Sequence, residues 1–425
     1  MNNQRTMRLG DVAYLITEKK AIHNFTCGNY ISTSNMLGEV LGIKPIAGLP
    51  KKGKATIFKR GDTLFSNIRV YFRKIWLAEF DGGSSADVLV FRAINNKIDP
   101  LYLNSIISSN NFTEYAISVS NGAKMPRADK QALLEYPIIL PSIETQKREM
   151  EIIRSINEKI SNMTKIKVEL QNFAIQLFKS WFIDFNFVFS KEYSNQNNCI
   201  NEENPVLFPD SFNNPPPEHF PMGWHVKQIG DFVNLIRGIS YKGKHLEVNP
   251  SLGVPMINLG CFNINGEFNP RKIKYYSGDY KNRHKLSSGD LLIANTDITQ
   301  ERLVLGSAII VPKYLDQCLF THHTTLIKLK ESVPESMSHY LFYLTKSNKF
   351  SSHVSGFATG TTVLNMPPDT ITKYRIPIPP LSLLEEFYHI SSDIQSFIES
   401  NDDLKGTIIQ CRDTLILKSL SKELA

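Results

Sequence analysis

The clearest pattern in the chain is a pair of long segments in which apolar residues recur at alternating spacings of three and four. One segment follows Pro141 and the other follows Pro379 and Pro380, and this spacing is typical of helices that pack against each other. The first helix is expected from Thr145 to Phe182, about 57 Å at 1.5 Å per residue. The alternative is two surface helices, each packed on its own domain. The residues expected in the packing seam are Ile152, Ile156, Ile160, Leu170 and Leu177 in the first helix, and Ile390, Ile394, Ile398, Ile408 and Leu415 in the second.

The rest of the sequence contains the same motifs twice, in the same order. A long repeat that is present only twice indicates a domain duplication and not a solenoid. The repeated segments are Leu9–Asp11 with Ile229–Asp231, Gly61–Asn67 with Gly289–Asn295, Gly122 with Gly360, and Tyr136–Pro141 with Tyr374–Pro379.

Each copy begins with short apolar runs separated by Gly, Asn, Pro and Ser, a pattern that indicates several strands, long loops and a few helices. We therefore predict an α+β fold. Two globular domains related by a pseudo-twofold axis are expected to be separated by two long antiparallel helices of the coiled-coil type. The predicted boundaries are 1–141 for the first domain, 142–189 for the first helix, 190–220 for a linker rich in Asn and Pro, 221–379 for the second domain and 380–425 for the second helix.

The net charge of +7 is unevenly distributed along the chain. Residues 1–140 and 221–376 each have a clear excess of Lys and Arg, while 141–220 and 377–425 have an excess of Asp and Glu. Basic domains favour a polyanion as partner, and the acidic segments favour a partner of another kind. Charge alone leaves open whether the polyanion is a nucleic acid.

The composition also bears on the compartment. Five cysteines lie far apart without Cys-x-x-Cys spacing, which indicates reduced thiols and not a disulfide framework. No apolar run reaches the ~18 residues of a membrane span, and the polar start of the chain is unlike a signal peptide. We expect a cytoplasmic protein with no membrane partner.

Two motifs suggest nucleotide or base chemistry, and each lacks a required part. Gly48–Lys54 has the spacing of a P-loop, but Ala55 stands where a Ser or Thr would bind magnesium. Asn214–Pro216 is similar to the Asn-Pro-Pro-aromatic motif of adenine methyltransferases, but it is followed by Pro217, which cannot stack on a base. A lysine-rich turn and a linker segment are the better interpretations.

The remaining candidate is a metal site formed by Cys318, His322 and His323. Adjacent histidines diverge in a strand, and a fourth ligand is missing. The sequence also has no Gly-rich loop for S-adenosylmethionine and no evident catalytic triad or carboxylate pair. We expect neither a catalytic residue nor a metal site. The hypotheses kept open are a stand-alone DNA modification enzyme and a protein-binding scaffold that does not bind DNA.

Two basic domains, each followed by a long helix, resemble the specificity subunits of type I restriction-modification systems, and the resemblance covers essentially the whole chain. The second helix departs from the family pattern at Leu383–Leu384 and at Leu417–Leu420. The resemblance is carried by Leu9–Asp11, Ile229–Asp231, Gly61, Gly289, Pro221–Trp224, Pro141–Gln146 and Leu177–Phe182.

The resemblance implies that the chain is a non-catalytic DNA-binding subunit of a methyltransferase and endonuclease complex. Each globular domain would be a target recognition domain for one half of a bipartite site in double-stranded DNA. The helices would set the spacer between half-sites and bind two methyltransferase subunits, through which restriction and translocase subunits join. The chain itself would hold no cofactor, since S-adenosylmethionine, ATP and magnesium are expected only in the partner subunits.

Candidate DNA-contacting residues are polar or basic and flank the Gly-Asp segments and the Gly-rich turns. Arginine and asparagine suit the edges of guanine and adenine, and lysine suits phosphate. The alternative for any one of them is a solvated surface residue. The candidates are Lys51, Lys52, Lys54, Arg69, Tyr71, Arg73, Lys124 and Arg127 in the first domain, and Arg237, Tyr241, Lys242, Lys244, Asn295, Arg302, Thr362 and Asn365 in the second.

Overall fold

The computed structural model describes residues 6–38, 40, 42–44, 46, 48–122, 125–188, 208–209, 211–213, 220–263, 267–298, 303–361 and 363–421. They belong to two compact units. Unit 1 comprises the segments 1–164 and 403–425, and unit 2 comprises 165–402. Each unit thus contains one repeat and a part of both long helices. The motif Asn214–Pro216 and most of the predicted linker lie outside the described residues.

Unit 1 is a mixed α/β unit. The strand orders among its described residues are β2-β9-β6-β7, β3-β5-β8-β4, β1-β12 and β10-β11, with β4 and β8 parallel. These labels denote the strands β1 (Thr6–Arg8), β2 (Ala13–Leu15), β3 (Lys19–Ala21), β4 (Tyr30–Ile31), β5 (Lys54–Phe58), β6 (Thr63–Ser66), β7 (Ile75–Leu77), β8 (Gly82–Ser84), β9 (Val88–Ala93), β10 (Ser120–Asn121), β11 (Arg127–Ala128) and β12 (Pro137–Ile139).

Unit 2 repeats the strand order of the first four-stranded sheet and the pairing of the first strand with the last. In its second four-stranded sheet the earlier strand of the parallel pair is the inner one, whereas in unit 1 it is the edge strand. The strand orders in unit 2 are β14-β22-β18-β20, β15-β17-β16-β21, β13-β24 and β19-β23, with β16 and β21 parallel. The strands are β13 (His225–Gln228), β14 (Val233–Arg237), β15 (Leu246–Glu247), β16 (Val254–Ile257), β17 (Lys274–Tyr276), β18 (Leu291–Ala294), β19 (Thr296–Asp297), β20 (Ala308–Ile310), β21 (Leu319–Phe320), β22 (Thr324–Leu329), β23 (Leu364–Asn365) and β24 (Arg375–Ile378). The predicted duplication and the α+β class are confirmed.

The helices follow the same repeat. None of those described contains an apolar stretch that would span a lipid bilayer. They are α1 (Pro100–Ile107), α2 (Asn110–Ser118), α3 (Lys130–Leu134) and α4 (Ile143–Phe182), then α5 (Ser336–Thr345), α6 (Asn348–Phe357), α7 (Pro368–Thr372) and α8 (Leu381–Ser421).

The repeated motifs of the sequence are turn-forming devices. In the first, Asp11 Oδ2 accepts a hydrogen bond from the backbone N–H three residues earlier at 2.8 Å, and Asp231 Oδ2 does so at 3.0 Å. In the second, Gly61 and Gly289 have φ of 92° and 86°, which favours glycine. These acceptors and glycines fix the chain direction at the start of the core strands, so the motifs serve the shape of each domain.

The long helices run antiparallel inside unit 2. Lys167 of α4 contacts Asp402 of α8 at 2.7 Å, and the rings of Phe178 and Phe387 lie 5.6 Å apart. Rising residue numbers on one helix therefore meet falling numbers on the other. The end of α4 enters the core of the unit, where Phe182 packs edge-on against Tyr340 at 5.2 Å. The aromatic residues at the end of the first helix thus anchor it in unit 2.

Inside unit 1 the start of α4 meets the end of α8. Met150 and Ile153 belong to the buried core, and Ile416 of α8 packs against that core. The Arg412 guanidinium donates to Asn157 Oδ1 at 3.2 Å. Both units therefore contain a pair of long helices packed together, as the heptad pattern predicted, rather than isolated surface helices.

The phase of the predicted seam needs a correction at two positions. Ile152 is 56% exposed and Leu415 is 40% exposed, and the residues that pack in their place are the next ones along each helix, Ile153 and Ile416. One residue corresponds to a rotation of about 100° around a helix, so each prediction selected the neighbouring face. The other predicted seam residues are buried or partly buried: Ile156, Ile160, Leu170, Leu177, Ile390, Ile394, Ile398 and Ile408.

Candidate nucleic-acid interface

The lysine-rich turn of unit 1 lies at the edge of its second sheet. Lys51 and Lys52 are exposed in the turn, and Lys54 is the exposed first residue of β5. Gly53 between them has φ of 130°, a conformation that glycine adopts at low cost. The three ammonium groups are therefore accessible to a phosphate backbone.

Two further cations join this turn and were not predicted. Lys19 and Lys20 are exposed on β3, which pairs antiparallel with β5 so that Lys20 lies opposite Ala55. The sequence shows them only as an isolated Lys-Lys pair. Their relation to the turn depends on strand pairing, which no local pattern reveals.

A second group of candidates lies in the turn that follows β6. Arg69 and Arg73 both have φ of 49°, in the left-handed region that non-glycine residues seldom adopt. Between them Val70 is buried, whereas Tyr71 and Phe72 are 47% and 45% exposed with ring centroids 4.7 Å apart. The turn therefore anchors one side chain in the core and presents two aromatic rings to solvent.

The arginines of this region have different environments. The Arg73 guanidinium donates to the Ser108 carbonyl at 2.8 Å and so ties the turn to the end of α1. Arg127 forms an ion pair with Asp87 at 2.8 Å. Arg69 is exposed, and its side chain is the best placed of the three to meet an anion.

In unit 2, two candidates converge on one oxygen. The Arg237 Nε and the Asn295 Nδ2 both donate to the carbonyl of His322 at 3.2 Å. Asn295 Nδ2 also lies 2.8 Å from Thr325 Oγ1, and the residue is 8% exposed. Arg237 is exposed at the end of β14. The buried Asn295 amide therefore holds the His322 carbonyl in place, and the exposed Arg237 side chain lies beside it.

Three more candidates of unit 2 lie around its second sheet. Tyr241 accepts a hydrogen bond from Lys274 Nζ at 2.8 Å, and that ammonium lies 5.0 Å from the tyrosine ring. Lys242 and Lys244 are exposed in the following turn. Lys274 was not predicted, because its distance from Tyr241 along the chain hides their contact.

Arg127 and Asn365 occupy equivalent positions in the two units. Ile68 pairs with Arg127 in unit 1, and Thr296 pairs with Asn365 in unit 2. Ile68 and Thr296 each follow an Asn at the end of a core strand. Each pairs with the second strand of a hairpin, and that hairpin turns at a glycine with positive φ, Gly122 in unit 1 and Gly360 in unit 2. We call this composite of strand end and hairpin the strand-end edge. The remaining candidates, Lys124, Arg302 and Thr362, lie outside the described residues.

The metal hypothesis has little chemical support. Cys318 is buried in an apolar cluster, and burial raises the pKa of its thiol to about 12. A thiol with that pKa stays protonated at neutral pH, whereas a metal ligand must be a thiolate. Among the described residues, no group of three His, Cys, Asp or Glu side chains is arranged to hold a metal ion.

Comparison with known proteins places these features in a family. The family described as type I restriction modification DNA specificity domain matches residues 1–172 and 221–410. The type I restriction enzyme HindI specificity subunit of Haemophilus influenzae is 28% identical over 45% of this chain and 43% of its own length. The MjaIX specificity subunit of Methanocaldococcus jannaschii is 24% identical over 76% of this chain and 68% of its own length.

One solved structure shares the fold. The type I restriction-modification system S subunit from M. genitalium is similar with a TM-score of 0.51 at 12% sequence identity, over 99% of this chain and 97% of that one. The long helices and repeated mixed units are thus a shared architecture.

Proposed function

Because the chain belongs to the type I restriction modification DNA specificity domain family, we propose that it is the DNA-recognition subunit of a type I restriction-modification complex. Each unit binds one half of a bipartite site in double-stranded DNA. The observation that carries the proposal is the strand-end edge. It occurs in both units, and basic and amide side chains lie close together at it. Such side chains suit phosphates and base edges.

The test is to express the chain with a methyltransferase subunit and map methylated bases by single-molecule sequencing. We expect one bipartite sequence with a spacer of fixed length. Replacing residues 221–379 by the matching domain of a relative should change one half-site and leave the other unchanged. A complex that methylates DNA without a bipartite preference would contradict the proposal.

The partner surface lies on the outer faces of the long helices. In unit 2, Ile166 and Phe173 of α4 are exposed one heptad apart, and Phe397 of α8 is also exposed. In unit 1, Ile152 of α4 and Leu404 of α8 are exposed as well. Large apolar side chains on a helix surface favour a second helix as partner. We assign each face to one methyltransferase subunit.

This assignment predicts a change in stoichiometry. Phe173→Asp should remove the methyltransferase subunit bound at unit 2, so that the purified complex contains one such subunit instead of two, as measured by native mass spectrometry. The control is Asn172→Asp, which alters an exposed polar neighbour. Two bound subunits in the Phe173→Asp complex would show that the partner binds elsewhere.

The chain is proposed to hold no cofactor of its own, with S-adenosylmethionine, ATP and magnesium bound by the partner subunits and restriction subunits joining through them. The purified chain should therefore transfer no labelled methyl group to DNA. Methyl transfer by the pure chain would favour the stand-alone modification enzyme.

A further inference from the structure

The rings of Tyr71 and Phe72 lie outside the buried core of unit 1. Both rings are nearly half exposed while their neighbour Val70 is buried. Large aromatic side chains are among the most stabilising residues when buried, and exposed pairs of them mark binding surfaces. The backbone around them is strained at two arginines, and strain of this kind persists where surrounding contacts hold it.

Hydrogen bonds at both ends hold the backbone of this turn in place. The N–H of Arg69 donates to the Pro126 carbonyl at 3.0 Å, and the carbonyl of Arg73 accepts from the Val40 N–H at 3.0 Å. The Arg73 side chain adds the bond to Ser108. The two rings are therefore presented in a fixed direction before any ligand arrives.

The turn also belongs to the strand-end edge, and the equivalent edge of unit 2 has a similar character. Asn67 and Asn295 occupy matching positions, and both are buried with a side-chain oxygen that accepts no hydrogen bond from any described residue. Three residues after Asn295, Ile298 is 71% exposed. Each unit therefore extends an apolar side chain from the same edge, aromatic in unit 1 and aliphatic in unit 2.

We propose that Tyr71 and Phe72 form a wedge that inserts at a base step of the half-site bound by unit 1. The proposal rests on the proposed function and adds to it the residues that contact stacked bases. Apolar side chains inserted between base pairs unstack and kink DNA, and neighbouring cations hold the flanking phosphates. Exposed Arg69 beside the rings supplies such a cation, and this favours DNA over an apolar protein partner.

The test compares Tyr71→Ala/Phe72→Ala with Tyr14→Ala, which removes a ring of similar exposure, 45%, from the same unit. Both are measured in complex with the methyltransferase subunits on a duplex carrying the mapped site. The double variant should bind roughly tenfold or more weakly, as loss of a base–aromatic stack does. Its salt dependence should match wild type because no charge is removed. Fluorescence of 2-aminopurine should rise on binding of wild type and Tyr14→Ala only, with the probe placed in the unit 1 half-site away from the methylated adenine, which the methyltransferase subunit itself flips out of the stack.

Three results would overturn the wedge. One is a double variant whose affinity and 2-aminopurine signal equal those of Tyr14→Ala. Another is loss of a methyltransferase subunit with unchanged DNA affinity, since the rings would then be a protein contact. The third is a wild-type complex with no bipartite preference, and only this result also removes the proposed function. Thermal unfolding of both variants shows that the effect is not a failure to fold.

Discussion

Lys167 and Asp402 form an ion pair of 2.7 Å in the seam between the two long helices of unit 2. The remainder of this seam is largely apolar, and a shift of one helix by a turn would place a charge against apolar side chains. Single polar pairs in apolar seams fix register in this way. In unit 1 the contact of Arg412 with Asn157 is the corresponding polar pair between the two long helices.

Asp402→Ala should lower the free energy of unfolding by about 1 kcal/mol, a modest value because both side chains are partly solvated and water screens the pair. The double substitution Lys167→Met/Asp402→Leu should recover most of that loss, since apolar residues can replace an ion pair within a packed seam. Urea unfolding measures both. Asp403→Ala, at an exposed neighbour, is the control. A single variant as stable as wild type would show that the pair does not stabilise the seam.

Changing Lys51, Lys52 and Lys54 to Glu should weaken DNA binding and flatten its salt dependence. Each lost phosphate contact removes about 0.9 from the slope of log affinity against log salt. The pairing of β3 with β5 predicts a similar effect for Lys19→Glu/Lys20→Glu. Fluorescence anisotropy at several salt concentrations measures the slope, with Lys313→Glu, exposed in unit 2, as control. An unchanged slope in both variants would mean that this sheet edge does not face DNA.

Asn295→Ala should relax the base preference at one position of the unit 2 half-site by about 1–3 kcal/mol. The reason is that the Asn295 amide holds the His322 carbonyl to which Arg237 also donates. The unit 1 half-site should be unchanged. Mapping methylated sites in cells carrying the variant reports both. If the variant unfolds at a lower temperature and reads the same sequence, Asn295 has a purely structural role.

His339 should make unit 2 less stable in mild acid. Burial lowers the pKa of His339 to about 4 from 6.5, and its Nδ1 lies 2.7 Å from Ser391 Oγ. The folded state thus holds this histidine neutral, while the unfolded chain takes up a proton below pH 6.5. Stability contributed by the neutral form falls as pH drops through the window from 6.5 to 4, by about 2 kcal/mol between pH 8 and pH 5.

Chemical unfolding at the two pH values measures this effect, and His339→Gln should reduce the difference between them. His225→Gln, at an exposed position, is the control. An equal pH dependence in wild type and His339→Gln would assign the acid sensitivity to other groups.

Repetition and periodicity allowed the duplication, the mixed fold and the paired helices to be predicted. The seam phase at Ile152 was wrong because Ile152 and Ile153 are adjacent and equally apolar, so the helix carries two apolar stripes. One stripe packs inside the unit and the other remains exposed. Hydrophobicity alone cannot tell which stripe meets the other helix.

The candidate interface was less predictable for a related reason. Arg237 and Asn295 meet at the carbonyl of His322 through strand pairing. Lys274 reaches Tyr241 in the same way. Residue type identified the side chains that suit DNA, whereas their grouping depends on contacts between residues far apart in the chain.

The division of both long helices between the units has a consequence for synthesis of the protein. Unit 1 is completed by Ile416 and its neighbours, which are translated after the whole of unit 2. On the ribosome, the first domain therefore emerges early without Ile416, which packs against its core in the finished protein. Unit 2, whose segments are contiguous, is the first to acquire all its parts. The amino-terminal domain is thus the last to be finished, and premature termination late in the gene damages the domain that was translated first.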